Sequence, residues 1–160
     1  MQQGFTEPNP REDLSGNDVG RKLLILAREL DLHNEFSDIH IDNLIPKKLQ
    51  EGDVDFFMEH LEVLDAKFAE IKKNQKLNHV LRYVCDLHGN LQKEKGVLDV
   101  KLISVPKESA LGQVKGSDSI IEIYTESYGE NPLVIQGAGA GAAVTARGVF
   151  GDILRIAEKG

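Results

Sequence analysis

HVLRYVCDLHGNLQKEKGVLDVKLISV, residues 79–105, is the stretch on which the fold turns. Two apolar runs rich in Val, Ile and Leu, 79–87 and 97–105, flank Gly89-Asn90, a dipeptide that marks a turn between strands. Outward from there, SIIEIYTE (119–126) and PLVIQ (132–136) read as further strands, with Gly116-Ser117 and Gly129-Glu130 at the turns. Successive strands separated by short turns favour antiparallel pairing. Upstream, DIHIDNLIP (38–46) alternates apolar and polar residues, a short strand ended by Pro46.

Helices fill the rest. Pro8 and Pro10 make 4–14 read as a loop, and Ser15 followed by Asp18 matches an S-x-x-D capping box. The spacing then predicts a helix to about Leu30, with Val19, Leu23, Leu26 and Leu30 on one stripe. Leu24, Ile25 and Ala27 extend its apolarity, so the helix is expected to be buried on most sides. A second long helix is expected from Asp53 to about Asn74, with Val54, Phe57, Leu61, Leu64, Phe68 and Ile71 facing a sheet. The chain closes with a glycine-rich segment and a third helix. The reading is α+β: a mixed, largely antiparallel sheet covered by helices, as one domain over residues 1–160.

Bulk properties exclude some functions. A chain of 160 residues, 41% hydrophobic and 28% charged, is long enough to bury a core and ordinary enough to be a soluble globular domain. A net charge of −7 argues against nucleic acid as the main partner, because phosphate binding needs a basic face. No apolar run reaches membrane-spanning length and no signal-peptide pattern opens the chain, so no membrane role and a cytoplasmic location are expected. Cys85 cannot form a disulfide within the chain, and in VLRYVC it reads as a buried thiol.

Two segments carry chemistry. In LVIQGAGAGAAVTA, Gly137, Gly139 and Ala142 fit a relaxed G-x-G-x-x-G/A spacing between a strand and a helix. The second strand and acid of a self-sufficient dinucleotide fold do not follow. Two readings stay open: close packing, or N–H groups at a helix N-terminus facing an anionic ligand held mainly elsewhere. The other segment is GFTEPNPREDLSGNDVGRK, residues 4–22. Asp18 and Lys22 lie four apart on one helical face, which on a surface is an ordinary ion pair worth roughly 0.2–0.5 kcal/mol. On a buried helix the pair would instead line a cleft, with Glu7, Arg11, Glu12 and Asp13 nearby. Several acids around one lysine suit a small zwitterionic or cationic substrate.

The 4–22 text closely resembles the signature of homoserine dehydrogenases, and LRYV, VKGSDSIIEI and PLVIQGAGAGAAVTARGVFGDILRIA resemble that family's later segments in order. The resemblance fits the substrate-binding and dimerisation portion of such enzymes, monofunctional or fused to aspartokinase, without the Rossmann nucleotide-binding domain. It implies NADPH- or NADH-dependent reduction of aspartate 4-semialdehyde to homoserine, a step of threonine, methionine and isoleucine biosynthesis. By position in the motif, Lys22 matches the catalytic lysine and Asp18 the acid that orients it and holds the substrate hydroxyl. Glu7 matches the substrate-binding glutamate and Asp13 a further acid of the pocket. Gly141, with Gly139 beside it, matches glycines near the cofactor, NADP or NAD, which would be bound mainly by the missing domain.

Further expectations follow from the resemblance: a homodimer, no metal in this segment, and no turnover by this chain alone. The alternative is a non-catalytic dimerisation module of a larger protein. Phe5, Asn9, Asn17, Gly20 and Arg147 depart from the usual family text. Phe5 removes a tyrosine hydroxyl, and nothing in the sequence accounts for Asn17.

Overall fold

The computed structural model describes residues 8–159. In chain order it holds α1 (Arg11–Ser15), α2 (Asn17–Glu29), β1 (Ile39–Ile41), α3 (Val54–Glu59), α4 (Glu62–Lys73), β2 (His79–His88), β3 (Val97–Pro106), α5 (Ala110–Gln113), β4 (Asp118–Ile123), β5 (Leu133–Ala138) and α6 (Ala142–Lys159). Short 3-10 turns at Phe36–Asp38 and Lys47–Leu49 flank β1 and its following loop.

The expected strands form, but in two sheets. β3 is central in the first, with β2 antiparallel on one side and β1 parallel on the other. β4 and β5 make a separate antiparallel pair in which Ile121 faces Ile135 and Ile123 faces Leu133. Gly89, Gly116 and Gly129 all adopt positive φ at the turns, a conformation that glycine takes without steric cost. The class is α+β with largely antiparallel pairing, as the sequence indicated.

Alternation along the strands gives the first sheet two distinct faces. Ile39, Ile41, Tyr83, Leu87, Leu98 and Val100 lie against α2, where Leu23, Leu24, Ala27 and Leu32 complete the main core. The buried stripe of α2 is Gly20, Leu23, Leu24 and Ala27, a helical i, i+3, i+4, i+7 set. Leu26 and Leu30, expected on the stripe, are exposed, and so is Ile25. The helix is therefore one-sided, because a single sheet face covers it and nothing among the described residues covers the opposite side.

Three local expectations are corrected. The 4–14 loop contains a helix, α1: Pro10, at φ −64°, stands just ahead of the first helical residue, where its lack of an N–H costs nothing. Ser15 belongs to α1 and forms no capping box, since Gly16 at φ 82° is the N-cap of α2. The Ser15 hydroxyl still accepts the Asn17 N–H at 3.3 Å. Lastly, the second long helix is two, α3 and α4. His60 Nδ1 lies 2.8 Å from the Phe56 carbonyl that a continuing helix would bond through its backbone, and the His60 N–H turns to Phe57 at 3.3 Å. These helices do not roof the sheet along their length. Phe57 and Leu64 pack with Ile45 and Leu49 in a second core, joined by Leu14, Leu61, Val63 and Phe68.

Candidate active site

The first turns of α2 are fixed from below. At Gly16 an added Cβ would run into the Tyr83 hydroxyl and lie 2.7 Å from Ile41 Cγ2, so only glycine allows this approach, and its positive φ points the same way. Tyr83 in turn donates its O–H to the Asp42 carbonyl at 2.8 Å. Burial pushes the Tyr83 phenol up to about 12, with the nearby Asp42 carboxylate adding to the rise. Gly20 continues the close packing: an added Cβ would lie 3.2 Å from Ile41 Cδ1 and 3.3 Å from Phe36 Cε2, tighter than ordinary van der Waals contact. Tyr83 and Gly16 thus set where α2 begins, roles that the sequence did not single out. The αL turn after a Ser-Gly pair was the available signal.

One turn further, Lys22 Nζ meets Asp18 Oδ2 at 2.8 Å. The predicted pair forms, but the two side chains are 70% and 53% exposed, so the expectation of a pair lining a cleft within a buried helix is not met here. The reason is the one-sided packing of α2, which leaves this face to solvent. Cys85, read as a buried thiol, is exposed on β2, the edge strand of the α2-facing sheet. Desolvation by the surrounding chain raises its pKa, and the Lys22 ammonium acts in the opposite sense, which puts the thiol within electrostatic reach of the pair.

The remaining charges of the signature disperse. Arg11 turns away from Lys22: its guanidinium lies 5.8 Å from the Phe57 ring centroid and 3.2 Å from Asn9 Oδ1. Asp13 sits in the first turn of α1 with an exposed side chain. Glu7 lies outside the described residues.

The glycine segment spans the step from β5 to α6. The Gly139 N–H donates to the Ser117 carbonyl at 2.9 Å, and a Cβ there would collide with the Ser119 hydroxyl, so close packing accounts for Gly139. It does not account for Gly137 or Gly141, which have open space beside the Cα. Gly141, at φ +124°, accepts the Thr145 N–H at 3.1 Å and opens α6, whose first N–H groups, as at any helix start, have no partner within the helix. That geometry fits the edge of an anionic ligand. Among the described residues no hydrogen bond or ion pair links this segment to Asp18 or Lys22. No residue of α6 is buried, and Val149, Phe150, Ile153, Leu154 and Ile156 all stand exposed.

The homoserine dehydrogenase family model matches residues 1–154, nearly the whole chain. The chain belongs to the homoserine dehydrogenase family. A homoserine dehydrogenase of Emericella nidulans is 44% identical over 163 residues, covering 98% of this chain and 43% of that protein. A chloroplastic bifunctional aspartokinase/homoserine dehydrogenase of Arabidopsis thaliana is 42% identical over 98% of this chain, which spans 17% of it. Among solved structures, a Candida auris protein of unknown function superposes with a TM-score of 0.78 at 38% identity, over 96% of this chain and 42% of that one. The S. aureus homoserine dehydrogenase crystal structure at pH 7.5 shares the fold, with a TM-score of 0.63 at 20% identity over 98% of this chain and 33% of its own. The chain therefore spans less than half the length of these relatives. No helix among the described residues is long and apolar enough to cross a membrane.

Proposed function

We propose that this chain is the substrate-binding and dimerisation part of a homoserine dehydrogenase, which interconverts aspartate 4-semialdehyde and homoserine with NAD(P)H. The observation that carries the proposal is the Asp18–Lys22 ion pair at 2.8 Å, standing open to solvent on a helix start that Gly16 and Tyr83 hold against the sheet. The nicotinamide cofactor, when bound, supplies the hydride. As negative charge grows on the substrate carbonyl oxygen, Lys22 stabilises it and donates the proton that completes the alcohol. Asp18 aims the lysine and accepts the substrate hydroxyl. Glu7 pairs with the substrate ammonium, which selects an amino acid over a simple aldehyde, and Asp13 is a further acid of the pocket.

The open space beside Gly137 and Gly141, on either side of the packed Gly139, supports an edge of the cofactor site, with most of the cofactor carried by a nucleotide-binding domain. The exposed apolar side of α6 supports a docking role toward such a domain. A second reading, a dimerisation module without catalysis, draws on the other face of the β1-β3-β2 sheet, which among the described residues α5 covers in part, around Arg82.

The deciding experiment measures homoserine-dependent NADP+ reduction by this chain alone and mixed with a separately expressed nucleotide-binding domain. Activity only in the mixture is expected. Activity of the chain alone would overturn the division of labour. No activity in either, with dimers in sedimentation, would favour the module reading.

A further inference from the structure

The face of the first sheet turned away from α2 carries an unusual row of side chains beyond the part that α5 covers. Asp86 and Asp99 are directly opposite one another on β2 and β3, an arrangement of like charges that destabilises a sheet unless something neutralises it. Two residues along the same face of β2, His88 places Nδ1 3.5 Å from Asp86 Oδ2 and 3.9 Å from Asp99 Oδ2. One ligand atom from each of the three lies within 4.8 Å of the others. In a tetrahedral site with metal–ligand bonds of about 2.0–2.2 Å, ligand atoms stand about 3.4 Å apart. The spacing is thus close to coordinating distance without any change in the backbone. On the far side of Asp99, β1 sets the exposed His40 in register with it, a further imidazole on the same face.

At present Lys101 is the counter-ion, its Nζ 2.6 Å from Asp86 and 3.8 Å from Asp99. Its side chain is 37% exposed and can swing out to solvent, whereas the two aspartates are fixed on adjacent strands. One ammonium leaves two carboxylates with a net negative charge, which a divalent ion would neutralise. Imidazole with carboxylates selects first-row transition cations over calcium or magnesium.

We propose that Asp86, His88 and Asp99 form a surface site for a divalent transition-metal ion of the Zn2+ class, in competition with Lys101. The site is separate from the Asp18–Lys22 pair, being on the opposite face of the sheet from α2. It does not depend on the catalytic reading.

The test titrates the purified 160-residue chain with Zn2+ by calorimetry, and with Co2+ by visible absorption as a report on coordination. One-to-one binding is expected, weakened at least about tenfold by His88→Ala and by Asp99→Asn. Lys101→Gln should tighten it by removing the competing ammonium, and His79→Ala, a histidine at the far end of β2, should leave it unchanged. Circular dichroism checks each fold, and the near-isosteric Asp99→Asn keeps the test decisive if His88→Ala fails to fold. Absent binding, or binding that His88→Ala and Asp99→Asn do not weaken, would overturn the proposal. Equal loss in His79→Ala would do the same, since it would mark a diffuse surface affinity.

Discussion

Lys22 and Asp18 were legible in sequence because four residues on a helix bring two side chains together whatever the rest of the chain does. Their exposure was not, because it depends on which side of α2 meets the sheet. If the lysine donates the proton, Lys22→Ala in an enzyme containing this segment should lower kcat by at least about two orders of magnitude. An unchanged kcat in steady-state assays would instead leave the lysine a binding role. Gly16 is equally strict but for steric reasons. Gly16→Ala should cost at least about 1–2 kcal/mol for the left-handed backbone alone, with the collision against Tyr83 and Ile41 added, read as a lower urea midpoint. Tyr83 supplies a pH signature. Its folded pKa is raised to about 12 from an ordinary 10.0, so the folded state holds this proton more tightly than the unfolded one. The stabilisation is complete below pH 10 and is lost as pH rises through 12. Near-ultraviolet titration of the folded chain should therefore show late ionisation by two of its three tyrosines, Tyr124 raised by its hydrogen bond to Glu122 and Tyr83 by burial, and Tyr83→Phe should remove the component near pH 12.

At the scale of elements, period and punctuation located nearly every strand, since β2, β3, β4 and β5 each follow an apolar run bounded by glycine or a polar cluster. One boundary was missed where a side chain competed with the backbone for a hydrogen bond. His60 ends α3 through the Phe56 carbonyl although the apolar spacing runs on to Ile71. Asp53 illustrates the opposite case, a cap whose effect is local and readable. Its carboxylate accepts the Phe56 N–H at 2.8 Å and starts α3. Asp53→Ala should cost about 0.5–2 kcal/mol in thermal or urea unfolding. A loss near zero would mean that the Phe57–Leu64 core positions α3 without its cap.

Across the whole molecule, the two faces of the first sheet have different fates. One is closed by α2, while the other, covered in part by α5 around Arg82, presents the half-buried Val80, Val84, Ile103 and Val105 away from the His88 end of the strands, a surface consistent with a partner copy. Sedimentation should find dimers at micromolar concentration. Ile103→Lys on the open face should shift them toward monomer without altering the circular dichroism spectrum, and a dimer indifferent to that change would place the interface elsewhere. What the sequence determined by itself was local: strand positions, turns, the helix carrying Asp18 and Lys22, and the order of segments that marks the family. These depend on residues close along the chain. Only the tertiary structure decided that β4 and β5 form their own sheet, that α2 is covered on one side, that Tyr83 seats Gly16, and that Asp86, His88 and Asp99 converge. Each of those rests on contacts between residues far apart in sequence, whose energies no single segment contains.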